Sequence, residues 1–182
     1  MKKLVITLLF SLVTLLSYAQ TEHVQFMGIP INGTINQFQQ KLQAKGIKYD
    51  QAASREVGVG TRVFKGIFAG EDSQFFVAYI PKSKIVYYVG VVIKCYSEDV
   101  AQSKLNKFKS LLEDKYVYWE EMSTTDGLCY IIPSKNFTDA IGSVRLWYEY
   151  DPTIYPNPYT LYVKYTDYAN SILYENSISG DI

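Results

Sequence analysis

Histidine is all but missing from this 182-residue chain. The single one, His23, stands close to the expected mature start. A Ser-His-Asp or Cys-His site needs a base held in place by packing, and chain ends are usually loose. His23 is therefore expected to be solvated, and no catalytic residue is assigned. One histidine and two separated cysteines do not make a zinc set. No D-x-[DN]-x-[DN]-G loop offers calcium its clustered oxygens. Gly58-Val59-Gly60 is too short to cradle a phosphate and reads as a flexible loop before a strand. No metal ligand and no cofactor-binding residue follows from these patterns. Carboxylate pairs occur in any chain of this size, so they do not single out a glycosidase. A non-enzymatic protein is the expectation.

Long charge runs are lacking too. No basic stretch stands out, which removes nucleic acid from the expected partners. Only one apolar run is long, and it opens the chain: MKKLVITLLFSLVTLLSYAQ. Lys2 and Lys3 precede Leu4–Leu16, and Ser17-Tyr18-Ala19 supplies small residues for cleavage after Ala19. This is the pattern of a secretory signal peptide over residues 1–19. The run is short of the about 20 apolar residues of a transmembrane helix. Export to the periplasm or the medium is expected, with a mature chain starting at Gln20 or Thr21 and no membrane span in it. Loss of Lys2 and Lys3 turns a precursor of 18 basic and 18 acidic side chains mildly acidic. Residues 20–182 suffice for one domain with a real core.

Cysteine is scarce, with Cys95 and Cys129 its only representatives. An oxidising destination makes a disulfide between them reasonable. Both lie in apolar runs, VVIKCY and GLCYII, and both are expected to point inward. If their strands are neighbours, a bridge is open to them. Otherwise they are buried thiols acting as small hydrophobes.

What is present is alternation. VQFMGIPING reads as an extended opening segment ending in an Asn32-Gly33 turn. Thr34 and Gln37 form a capping box for a helix whose Ile35, Phe38 and Leu42 share a face. Gly46 suits its left-handed terminus, with Ile47 making the contact that follows. Three strands are predicted next, in TRVFKGIFAG, SQFFVAYIP and KIVYYVGVVIKCY, joined by short turns. Ser97 then caps a second helix, with Glu98 and Asp99 in its first turn. Its stripe is Ala101, Leu105, Phe108 and Leu112, widened by Val100 and Leu111. GLCYIIP, GSVRLWYEY and TLYVKYT are three further strands, and DYANSILYEN is a short last helix. Phe38, Leu42 and Lys45 recur seventy residues on as Phe108, Leu112 and Lys115. The expectation is an α+β domain with helices packed on an antiparallel sheet, arranged either as a tandem α-β-β-β repeat with halves 24–96 and 97–182 or as a generic α+β domain without a repeat.

Tyrosine crowds residues 147–168, WYEYDPTIYPNPYTLYVKYTDY. Alternation puts Arg145, Trp147 and Glu149 on one strand face and Leu146, Tyr148 and Tyr150 on the other. It puts Tyr162 with Thr160, Lys164 and Thr166 on a polar face, and Tyr165 with Leu161 and Val163 on an apolar one. Tyrosine suits half-buried sheet surfaces, which accounts for much of this. The sharper expectation is an aromatic binding patch of Trp147, Tyr155, Tyr159 and Tyr162. Its loop, Tyr155 to Tyr159, is stiffened by two prolines. The expected partner is a protein at the envelope or outside the cell. A glycan, or a structural role in an envelope assembly, is the alternative.

The stretch FMGIPINGTINQFQQKLQAKG, residues 26–46, resembles the opening of a family of small exported proteins of gut-type Gram-negative bacteria. TLYVKYTDYANS, with Asp167 and Asn170, resembles that family's ending. The resemblance implies export and an α+β domain and brings no activity with it. The tandem layout is also similar in outline to beta-lactamase inhibitory proteins. That likeness concerns fold alone, and no residue motif carries inhibition across.

Overall fold

The computed structural model describes residues 22–115, 121–124 and 127–179. The expected signal peptide lies outside the described residues. The opening segment folds back at Met27 and Gly28, whose positive φ angles make a tight turn. This pairs β1 (Gln25–Phe26) with β2 (Ile29–Pro30). Val24, Phe26, Ile29 and Ile31 are all buried, so the ribbon is part of the core.

Helix α1 (Ile35–Ala44) starts where its capping box predicts. The Gln37 N–H reaches the Thr34 hydroxyl while the Gln37 side chain accepts from the Thr34 N–H. It ends at Gly46, where φ is 81°, and the buried Ile47 returns its N–H to the Leu42 carbonyl. Two elements absent from the sequence reading follow, β3 (Lys48–Asp50) and α2 (Gln51–Val57). Asp50 caps α2 through the Ala53 N–H. Then come β4 (Thr61–Phe68), β5 (Glu71–Tyr79) and β6 (Val86–Cys95). The β4–β5 turn is Ala69-Gly70, both at positive φ.

Helix α3 (Glu98–Lys115) buries Ala101, Leu105, Phe108 and Leu112 as expected, but Leu111 is 45% exposed and does not widen the stripe. The second set of strands is β7 (Glu121–Thr124), β8 (Gly127–Pro133), β9 (Ala140–Tyr150) and β10 (Tyr159–Asp167). Helix α4 (Tyr168–Ser179) closes the described chain and packs on β6, β9 and β10.

All eight strands from β3 to β10 form one antiparallel sheet, ordered β3-β4-β5-β6-β10-β9-β8-β7. Each half contributes two helices and four consecutive strands of the sheet, rather than one helix and three strands. The last strands of the two halves, β6 and β10, meet at the centre. One sheet face is core. Phe64, Phe75, Val91, Val163 and Leu146 follow one another across five strands, and all are buried. Phe108 of α3 stacks on Phe68 at 5.4 Å, and Phe26 packs edge-on to Phe75 and Tyr165. Gln39 of α1 accepts from Arg62 on the same side.

Cys95 and Cys129 do not bridge; both are free and buried. Cys95 shares the core face with Ile93, while Cys129 pairs with Arg145 on the opposite face. Strands β10 and β9 also stand between β6 and β8. The expected condition of neighbouring strands is not met. Burial raises both thiol pKa values, which keeps them protonated and unreactive.

Candidate binding surface on the second face of the sheet

The second face is built by the residues between the core positions. Because antiparallel Cα partners share a side, its rows can be read across the strands. The central row is Phe76, Gly90, Lys164, Arg145 and Cys129. Beside it run Gln74, Val92, Tyr162 and Trp147. A third row holds Lys94, Thr160 and Glu149.

Trp147 and Tyr162 are thus direct cross-strand partners. Their rings stack with centroids 4.9 Å apart and planes 11° from parallel. Both are half-buried. The Trp147 Nε1–H donates to Glu149 Oε1 at 2.9 Å. Glu149 also acts on Tyr162: burial, then this nearby negative charge, raises the phenol pKa. The pair is therefore fixed by stacking and by one shared carboxylate. A residue with a Cβ at Gly127 would place that atom 2.6 Å from the Trp147 Cβ, so glycine is required beside the indole.

Two cations adjoin the rings. Arg145 and Lys164 are opposed across β9 and β10. The Arg145 guanidinium lies 5.8 Å from the Trp147 ring centre. The Lys164 ammonium lies 4.5 Å from the Tyr88 ring centre. Burial, and then the Arg145 charge, lowers the Lys164 pKa. Lys94 donates to Thr160 Oγ1 at 2.9 Å in the next row.

The structure divides the four aromatic residues singled out from the sequence. Trp147 and Tyr162 come together as described. Tyr159 lies on the helix side of the sheet with Tyr148 and Tyr150. There the Tyr148 hydroxyl donates to Glu98 of α3. Tyr155 is 94% exposed on the loop between β9 and β10. That loop is pinned at its base, where the Asp151 N–H meets the Pro158 carbonyl and Asp151 Oδ1 accepts from Thr153. The hairpin end is aromatic on both sides, but it is not one continuous patch. Comparison with family models, curated proteins and solved structures returns no match to this chain.

His23 corrects the expectation of a solvated side chain. Its ring is 16% exposed, and Nδ1 lies 3.0 Å from Oδ2 of the fully buried Asp167. The same carboxylate accepts from the Val24 and Asn170 N–H groups. A buried carboxylate on Nδ1 is the orienting half of a base. Among the described residues, no hydroxyl or thiol hydrogen-bonds to this ring. The pair serves here to fasten the segment before β1 to the start of α4.

Sequence reasoning missed the roles of Lys164, Arg145 and Tyr88. Alternation already placed Lys164 with Tyr162 and Arg145 with Trp147. The register that sets the two pairs side by side was the absent information.

Proposed function

We propose that this chain is an exported, non-enzymatic binding module that engages a protein at the cell envelope or outside the cell. The contact surface is the second sheet face around Trp147 and Tyr162. One observation carries this reading: a half-exposed Trp–Tyr stack, fixed by Glu149 and flanked by Arg145 and Lys164. Rigid tryptophan, tyrosine and arginine side chains give large contact area at low ordering cost and dominate interface energetics. The leader-like residues 1–19 support export.

The stack itself favours protein over sugar, because each ring turns one flat face to the other. A glycan reader is the second reading, favoured by the exposure of Tyr155 alone. Tagged mature protein would be used to capture partners from envelope and medium extracts, beside a W147S/Y162S variant shown to be folded. A partner held by the wild type and lost with the variant is the expected result. A partner retained equally by both would move the site off this face. Retention of polysaccharide alone, lost with Y155S, would establish the glycan reading instead.

A further inference from the structure

We infer that the tyrosine cluster Tyr148, Tyr150 and Tyr159, at the hairpin end of the sheet on its helix side, seats a lysine or arginine side chain of a partner protein. The cluster lies across the sheet from the Trp147–Tyr162 stack, and the inference does not depend on that surface.

Tyr150 and Tyr159 are direct cross-strand partners on β9 and β10, so their side chains share one side of the sheet. Their ring centres lie 4.9 Å apart with planes 44° from parallel. Tyr148, two residues before Tyr150, stands 6.4 Å from Tyr159 at 59°. Rings tilted in this way turn their faces in different directions, unlike the near-parallel Trp147–Tyr162 pair. Tyr148 and Tyr159 pack against the core, whereas Tyr150 is 60% exposed. The first turn of α3 brings two carboxylates to the cluster. Glu98 accepts from the Tyr148 hydroxyl at 3.1 Å. That hydrogen bond, then burial, raises the Tyr148 pKa. Burial, then the nearby Glu98, Tyr150 and Asp99, raises that of Tyr159. Both phenols are thereby held in their neutral form.

Rings elsewhere in the molecule have cations of their own. Arg62 lies over Tyr49 and Tyr79, Lys84 over Tyr79, Arg145 near Trp147 and Lys164 over Tyr88. Among the described residues, no lysine or arginine lies over Tyr148, Tyr150 or Tyr159. Nor is an ion pair made to Glu98 or Asp99. Acidic residues at a helix start favour the helix dipole, which accounts for Glu98 and Asp99 taken alone. It does not account for three tilted rings gathered beside them. Aromatic faces edged with carboxylates are complementary to a cation through the ring quadrupole and through charge together. The place is open, since Tyr150, Glu98 and Asp99 are all exposed. A free small cation needs a cleft that encloses most of its surface. A cation carried on a partner's chain does not, because neighbouring contacts help to hold it. Tyr155, 94% exposed on the loop that joins β9 to β10, offers one such contact.

The test titrates mature protein into octalysine carrying an uncharged dye and reads anisotropy at two salt concentrations. Tetramethylammonium, added as competitor, stands for a free cation. The variants are Y150L, Y150F, E98Q/D99N, and D114N as an exposed carboxylate elsewhere on α3. Folding of each is checked by circular dichroism. The expected result is saturable binding of octalysine that weakens with salt. It falls about threefold in Y150L and about tenfold in E98Q/D99N, and is unchanged in Y150F and D114N. W147S/Y162S is expected to bind octalysine as the wild type does, whatever becomes of a captured partner. No saturable binding, or equal binding by all variants, overturns the inference. So does a loss in E98Q/D99N with Y150L unchanged, because charge without the rings would then be the cause. A loss in D114N as large as that in E98Q/D99N overturns it in favour of general acidity. Tetramethylammonium that displaces octalysine at equal or lower concentration overturns the partner protein as occupant. If W147S/Y162S alone loses octalysine, the cation sits on the other face of the sheet and this seat falls.

Discussion

Asp167 is a fully buried carboxylate whose partners come from both ends of the described chain: the His23 ring, the Val24 N–H and the Asn170 N–H. Three residues on, the Asn170 amide donates to the carbonyls of Ile31 and Val86. Two polar side chains thus tie the opening ribbon, β6 and α4 together. This gives a structural reason for Asp167 and Asn170 in the stretch TLYVKYTDYANS. Replacing Asp167 with alanine removes a helix cap and leaves the buried Val24 N–H unpaired. The expected loss is about 2 kcal/mol, measured by urea unfolding at neutral pH. A loss no larger than that of an exposed control such as D72A would show that the carboxylate is not the tie described. At this scale, sequence foresaw some residues and not others. The alternation of RLWYEY and TLYVKYT correctly separated Trp147 and Tyr162 from Tyr148 and Tyr165. It misread His23, because a position near a terminus says nothing about a buried acid 144 residues away.

Helix α1 shows which elements are legible. Its cap, apolar face and terminal glycine are all local signals, and each acts where its residue stands. Strand β3 and helix α2 were missed for the opposite reason. KYD is three residues long, and QAASREV buries only Ser54, so neither has a period to detect. Glu71 opens β5 directly after the Ala69-Gly70 turn, and it anchors that hairpin tip. Lys104 and Lys107 of α3 both donate to its carboxylate. Hydrogen bonds from Lys104, then from Lys107, hold the Glu71 pKa below its usual 4.5. The folded protein therefore binds this proton less readily than the unfolded chain. The contribution is complete above the unfolded value and is lost as pH falls through the folded one. E71Q should cost about 1 kcal/mol at pH 7, and the wild-type advantage should shrink progressively below the ordinary glutamate range. Chemical unfolding of both proteins across that range checks this. A difference that stays constant down to the acid limit would mean that packing of the side chain, and not its charge, secures the hairpin.

The whole molecule is two halves, each of two helices and four consecutive strands, joined last strand to last strand, an order consistent with a two-fold axis between β6 and β10. The F-x3-L-x2-K likeness of α1 and α3 hinted at this arrangement, and the buried Phe38, Leu42, Phe108 and Leu112 are its physical content. The joining was not legible. Apolar alternation says which side of a strand faces the core, but not which strand lies beside it. For the same reason, the Arg145–Lys164 opposition and the separation of the two cysteines emerge only in the assembled sheet. The seam is where the halves depend on each other. It carries eight cross-strand residue pairs, and α3 and α4 of the second half both pack on β6 of the first. Glu71 meets Lys104 and Lys107 across it, and Asn170 meets Ile31 and Val86. Cutting it would expose an unpaired central strand in each half, an edge that invites aggregation. Fragments 24–96 and 97–182, made separately, are therefore expected to lack fixed tertiary structure and to regain it on mixing. Dispersion of amide signals in NMR spectra reads both states. A well-dispersed spectrum from fragment 24–96 alone would show that a half folds without its partner, and that the seam joins two finished units instead of completing one core.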